Sequence, residues 1–198
     1  MARPRRSEPT RQRLLETGAT MLRDKGYHGT GIKEVLDEVG VPKGSFYNYF
    51  ASKEDFGAAV IRHVAEESWR HLDELVEAAD RDALGALRRH FQGAIRTFDS
   101  DGCCGGCLLG NLGAEVEDSD TCREALADSF RGIRERFRDV LRKGQEQGAI
   151  RDDVPARELA DHLLDAWEGA ILRMKVERSV RPLRQCVRRL LEADFLAA

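Results

Sequence analysis

Between Thr30 and Lys53 the chain reads TGIKEVLDEVGVPKGSFYNYFASK, and no other stretch limits the fold as much. Ile32, Val35, Leu36 and Val39 recur at helical spacing and predict a short helix over 32–39. Gly40 ends it. Pro42 opens a second helix, because its missing N–H has no partner in a first turn anyway. That helix carries Ser45, Phe46, Tyr47 and Asn48 and runs to Phe50. A further helix starts at Ser52, with Asp55 three residues on in a capping-box arrangement. Two short helices joined by a glycine turn make a helix-turn-helix, and a second helix of this kind can enter the DNA major groove.

The segment GVPKGSFYNYFASKEDF closely resembles the recognition-helix signature of the TetR family of one-component transcriptional regulators. The residues that carry the resemblance are Lys43, Gly44, Ser45, Phe46, Tyr47, Tyr49, Phe50, Ser52, Lys53 and Glu54. Tyr49 departs from the pattern, which most often has His there, but it still offers a hydroxyl to a phosphate. The motif covers roughly the first quarter of the chain. The resemblance implies an all-α fold of about nine helices, three in an N-terminal helix-turn-helix head (1–53) and six in a C-terminal effector and dimerisation body (54–198).

Composition agrees with that reading. Charged residues make up 34% of the 198 residues and aromatics 7%, with only five prolines, a balance that favours helices. The formal net charge is −3, which alone gives no hint of nucleic acid. Its distribution does. Residues 1–53 hold ten basic and six acidic side chains, a net +4 that leaves −7 for the rest. A basic head on an acidic body suits a DNA-binding module attached to a separate regulatory one. No apolar run approaches the ~20 residues that span a bilayer, and MARPRRSEPTR lacks a signal-peptide core. The expectation is a cytoplasmic protein without membrane contact, its basic start, with Arg3, Arg5 and Arg6, being either an arm near DNA or a solvated terminus.

Along the chain, Leu14, Leu15, Ala19 and Leu22 predict a helix over 10–25, and Thr30 is placed as an N-cap. The helix from Ser52 reaches about Ala79, a break falls at Asp80–Asp82, and Leu84, Leu87, Phe91, Ile95 and Phe98 mark another helix. DSDGCCGG is non-helical. A short helix is expected from about Cys104 to Val116, a long one to Gln147, and two more opened by Pro155 and Pro182.

DNA contacts divide into those that position and those that specify. Tyr47, Tyr49, Lys53, Thr30 and Lys33 are the expected backbone contacts. Pro42, Lys43, Gly44, Ser45 and Asn48 are the expected base readers, with Lys43 suited to guanine O6 and N7. Phe46 and Phe50 are assigned to the core. One head reads few base pairs, so a homodimer on an inverted-repeat operator in double-stranded DNA is implied. Leu163, Trp167, Ile171, Leu183, Val187 and Leu190 in the last two helices are the expected dimer contacts, with ordinary core as the alternative reading.

The five cysteines are Cys103, Cys104, Cys107, Cys122 and Cys186. An odd number argues against a disulfide framework. For the CCGGC cluster three readings stand: small buried thiols, a redox or electrophile sensor whose thiols at a helix N-terminus are activated by the dipole, or half of a metal site. The run CLLGNLGAEVEDSD is similar to a TetR subgroup that includes the repressor of N-ethylmaleimide reductase, a sensor of reactive electrophiles, and Cys107 matches its reactive cysteine. On a helix, Cys107, Asn111 and Glu115 would share one side. With Cys104, Phe98 and Trp167 they form the expected effector-sensing set, the alternative being a solvent-facing stripe.

The function these features imply is a repressor released from its operator by a small-molecule or thiol-reactive effector, with no cofactor and no metal. The competing classes are a thiol-dependent enzyme pairing Cys107 with His90 or His162, and an effector-independent DNA-binding protein. No nucleotide-binding or metal motif accompanies the enzyme reading.

Overall fold

A computed structural model describes residues 8–197, and among these eight α-helices and a closing π-helical turn make up the architecture. They are α1 Glu8–Gly29, α2 Ile32–Val39, α3 Lys43–Phe46, α4 Lys53–Ser100, α5 Leu108–Gly113, α6 Asp120–Glu146, α7 Ala156–Glu177 and α8 Arg181–Arg189, followed by the π-turn Leu190–Asp194. The β-type pairing described is one antiparallel bridge, Ile150 to Leu196. The all-α expectation is met, with eight helices rather than nine. The basic side chains of Arg3, Arg5 and Arg6 lie outside the described residues.

The missing helix is explained at Asp82. α4 continues through the expected break with one non-helical residue, Asp82 at φ −160° and ψ 82°. The Asp82 carboxylate accepts the Gly85 N–H at 2.8 Å, and the Gln147 side-chain carbonyl accepts the Ala83 N–H at 2.9 Å. These acceptors satisfy N–H groups orphaned by the kink, so no loop is needed. At its start α4 carries the predicted capping box: Ser52 Oγ accepts the Asp55 N–H at 3.1 Å, and the Asp55 carboxylate accepts the Ala51 N–H at 2.8 Å.

The chain folds as two compact units. One comprises the described residues up to Glu66 with Leu108–Ser129; the other comprises Glu67–Cys107 with the chain from Phe130 onward. The division inside α4 therefore falls after Glu66, whereas the sequence placed it at Lys53, and α5 belongs with the first unit. In that unit Leu14, Leu15, Ala19 and Leu22 of α1 are buried with Val35, Leu36 and Val39 of α2. Phe46, Phe50 and Phe56 close the core, with ring centroids 5.0–5.9 Å apart. Burying each such ring contributes roughly 1.5–3 kcal/mol.

The second unit is built on Leu87, Phe91, Phe137, Leu141, Leu163, Trp167 and Met174, all buried. Phe91 lies 4.7 Å from Trp167 and stacks on Phe137 at 5.8 Å. His90 meets the edges of the same rings. Burial holds its pKa down at about 4, with the charge of His71 as a lesser cause.

Candidate functional site

The reading element of the head is a single helical turn. α3 spans four residues, and the chain then continues through i→i+3 bonds, from the Asn48 N–H to the Ser45 carbonyl at 3.1 Å and from the Tyr49 N–H to the Phe46 carbonyl at 2.8 Å. The second helix expected to run to Phe50 is thus shorter. Phe46 and Phe50 are 1% and 3% exposed and anchor the turn from below. Pro42, Lys43, Gly44 and Asn48 are exposed above it, Tyr47 is 64% exposed, and Ser45 and Tyr49 are half-buried. Gly44 has nothing within 4 Å of a built Cβ, so that position presents bare backbone to a partner.

Two of the expected backbone contacts are engaged elsewhere. Thr30 is 2% exposed, and its hydroxyl donates to the Gly26 carbonyl at 2.7 Å. It does not cap α2, whose N-cap is Gly31, which corrects the expected cap, and its hydroxyl is engaged inside the head. Lys33 is exposed and pairs with Asp37 one turn on at 2.8 Å. Lys53 opens α4 with its ammonium 4.8 Å above the ring of Tyr27, a cation–π contact that fixes it beside the reading turn.

Tyr27 is itself held by a residue the sequence had placed in the effector site. At Gly26, φ is +73°, so α1 kinks and the N–H groups beyond it lose their helical acceptors. The Glu115 carboxylate takes their place, accepting the Tyr27 N–H at 2.6 Å and the His28 N–H at 3.5 Å. The Glu115 carbonyl oxygen lies 2.8 Å from His28 Nε2. A Cβ at Gly26 would stand 2.5 Å from that carboxylate, so only glycine fits. Burial pushes the Tyr27 phenol up to about 12, with Cys122 and Glu54 adding to the shift. Glu115 thus acts as a clamp within the head unit.

The cysteine loop also differs from expectation. α5 begins only at Leu108. Cys103, Gly105 and Gly106 all have positive φ (60°, 73° and 79°), which keeps the chain out of a right-handed helix through the CCGGC run. Cys104 and Cys107 therefore precede the helix, and Asn111 lies inside it while Glu115 lies beyond its end. The common helical stripe of Cys107, Asn111 and Glu115 does not form, and activation by a helix dipole does not follow from a six-residue helix.

Instead the loop is pressed against α7. A Cβ at Gly106 would meet Lys175 Cδ at 2.9 Å and Ile171 Cγ2 at 3.1 Å. Cys103 is buried, Cys104 is exposed with its thiol 3.6 Å from the Gly102 carbonyl, and Cys107 is half-buried. The Cys107 thiol hydrogen-bonds to the carboxyl of Glu168 on α7. Burial holds the Glu168 pKa above its ordinary value, and the thiol's hydrogen bond offsets this in part. Glu168 is a site residue that the sequence reading missed; the signal was an acid alone in the otherwise small and apolar run AWEGAI. The histidines weighed as partners for Cys107 lie edge-on to aromatic rings, His90 to Phe91 and Phe137 and His162 to Phe195.

Of the expected effector set, Trp167 is buried in the ring cluster of the second unit and Phe98 is half-buried near the end of α4. Of the expected dimer contacts, Leu163, Trp167, Ile171, Leu183 and Leu190 are all buried within the protomer, and Val187 is half-buried. The first five therefore offer little surface to a second copy. The apolar groups that α7 leaves to solvent are Leu172, 62% exposed, and Val176, 78% exposed. Beside them a shallow groove between α7 and α8 is lined by Ala166, Gly169, Arg173, Pro182, Cys186 and Arg189. Among the described residues no group of three or more His, Cys, Asp or Glu is placed to hold a metal ion, and no helix is long and apolar enough to cross a membrane.

A basic helix-turn-helix on an aromatic core, followed by an all-helical unit with an exposed apolar face, defines a DNA-binding transcription regulator. Residues 14–60 match the family described as bacterial regulatory proteins, tetR family, and residues 83–190 match the tetracyclin repressor-like C-terminal domain. The chain belongs to the TetR family, whose members bind operator DNA as homodimers. It is 38% identical over 186 residues to the HTH-type transcriptional repressor DhaR of Mycobacterium sp. (strain GP1), covering 93% of this chain and 92% of that one. It is 35% identical over 180 residues to the HTH-type transcriptional repressor NemR of Escherichia coli (strain K12), covering 90% of each. The crystal structure of E. coli NemR in its reduced form superposes with a TM-score of 0.89 at 31% identity, over 96% of this chain and 99% of that one.

Proposed function

We propose that this protein is a cytoplasmic repressor that leaves an inverted-repeat operator when Cys107 is modified by an electrophile. The observation that carries the reading is the half-buried Cys107 thiol, held on a glycine loop against α7 and hydrogen-bonded to a carboxyl there. An adduct on that sulfur displaces the hydrogen bond and cannot be absorbed by a loop whose Gly106 backbone already touches Ile171 and Lys175. The modified chain thus favours a different loop arrangement, and a ligand that distinguishes two states shifts the population between them.

In this reading Lys43, Gly44, Ser45 and Asn48 read bases while Tyr47, Tyr49 and Lys53 hold the backbone. The dimer face is formed by Leu172, Val176 and the groove from Ala166 to Arg189, in place of the residues buried beneath them. Both named relatives are repressors, which supports the direction of control.

The test is a DNA-binding titration of the wild type and Cys107→Ser before and after treatment with N-ethylmaleimide. The wild type is expected to lose affinity on modification while the variant keeps it. Equal behaviour of the two proteins would reject the sensing role of Cys107 and point to a non-covalent effector.

A further inference from the structure

We propose that Glu168 is the proton acceptor that activates Cys107, so that the pair adds conjugated alkenes bearing a carbonyl group by carboxylate-assisted attack. The inference rests on Cys107 being the sensing thiol. Its ground is the juxtaposition itself: a half-buried thiol donates its hydrogen bond to a half-buried carboxyl on α7.

The placement is enforced from both sides. On the loop, positive φ at Cys103, Gly105 and Gly106 keeps the chain out of a helix, and Gly106, next to Cys107, lies against Ile171 and Lys175 of α7. On α7, Glu168 lies one turn before Ile171, the residue against which Gly106 packs. Lys175, two turns beyond Glu168, presents its aliphatic Cδ to Gly106. Cys103 is buried in the same loop and Cys104 faces solvent. Of the influences on the carboxyl, burial is the largest and the Cys107 thiol the other. A partly desolvated carboxylate is a stronger base than one in water and lies closer to a thiol in proton affinity, as a general base must.

The step balances without any oxidant. The Sγ–H bond of Cys107 breaks and its proton passes to the Glu168 carboxylate. The sulfur electron pair forms an S–C bond to the β-carbon of the alkene, and the C=C π electrons move onto the carbonyl oxygen as an enolate. The proton held by Glu168 then goes to the enolate. The net change is addition of S–H across the double bond, and Glu168 ends as it began.

The experiment follows alkylation of Cys107 by N-ethylmaleimide, by intact-protein and peptide mass spectrometry, in the full-length dimer. Wild type, Glu168→Gln and Glu168→Asp are compared from pH 5 to 9. Glu168→Gln is expected to react at least about tenfold more slowly at pH 6.5, and its rate should rise in simple proportion to hydroxide. Glu168→Asp should recover part of the rate. In wild type alone, deuterium oxide should slow the reaction about twofold or more, because a proton is in flight. A faster Glu168→Gln protein would mean that the carboxylate only repels a thiolate and would overturn the proposal. So would a slower variant with the wild-type pH profile, or a wild type with no solvent isotope effect. If wild-type Cys107 is alkylated but DNA affinity does not change, the sensing role fails instead, and the two failures are told apart.

Discussion

Removing the Glu115 carboxylate should weaken the head without touching its DNA-facing surface. The kink at Gly26 leaves the Tyr27 N–H dependent on that carboxylate, at 2.6 Å, and Tyr27 is 8% exposed, so water does not readily replace the lost acceptor. A hydrogen bond to a charged group contributes about 1.5–3 kcal/mol, and an orphaned buried donor costs a similar amount. Glu115→Ala should therefore destabilise by about 2–3 kcal/mol. Glu115→Gln keeps a neutral acceptor of roughly half the strength and should cost about 1 kcal/mol. For a chain of this size each kcal/mol moves Tm by about 2–4 °C, giving about 4–12 °C for alanine and about 2–4 °C for glutamine. Because the Tyr27 ring supports Lys53, affinity for operator DNA should fall in the same order. The slope of log affinity against log salt should not change, since no phosphate contact is removed. Circular dichroism melts and fluorescence anisotropy at several salt concentrations measure both quantities. An unchanged Tm in Glu115→Ala would refute the clamp; a slope reduced by about one would show that Glu115 acts on DNA contacts directly.

Three further outcomes follow from the packing. His90 has a pKa of about 4 in the fold against 6.5 ordinarily, so below pH 6.5 the unfolded chain takes up the proton first. Its contribution, about 3 kcal/mol in full, is present above 6.5 and lost as pH falls towards 4; urea titrations of His90→Leu should be flatter than wild type across that window. Val176→Glu or Gly169→Arg should yield folded monomers by light scattering, whereas Leu163→Asp, at a site 2% exposed, should unfold the protomer; a folded monomeric Leu163→Asp would contradict the core assignment. Lys43→Ala should relax base preference at one position per half-site by about 1–3 kcal/mol, while Lys53→Ala weakens all sequences alike in the same binding-site selection assay.

What was legible in the sequence was whatever depends on local spacing. Leu14, Leu15, Ala19 and Leu22 announce the buried side of α1 by periodicity, and Ser52 with Asp55 announces the start of α4 by a cap that spans three residues. Phe46 and Phe50 read as core because they alternate with the polar residues of one turn. What was not legible shares a cause of the opposite kind. Periodicity identifies an apolar face but not what covers it, so it leaves Leu163, Ile171 and Leu183 open to a second copy or to the core, and the chain's own helices bury them. The Glu115 bond spans 88 residues and leaves no local trace. Thr30 looks like a cap in sequence, but the kink at Gly26 brings a free carbonyl within reach of its hydroxyl. The CCGGC run was read as helical from Cys104, because C-x-x-C spacing says nothing about the sign of φ at Cys103 and the two glycines.

The brevity of α3 sets how much a single subunit can know about a DNA sequence. One helical turn and the turn after it present three or four side chains to base edges, enough to fix about four base pairs. That is about eight bits. Two half-sites give about sixteen, a word that recurs by chance about once in 65,000 positions, or some fifteen times among the ~10⁶ competing sites of a small genome. A lone subunit, limited to four base pairs, would meet its word about once in 256 positions and be lost in the background. The proposed dimer face around Leu172 and Val176 would thus matter to the cell less as a source of affinity than as the device that squares the selectivity of a very small reader. The shape and flexibility of the base pairs between the half-sites must carry what discrimination remains.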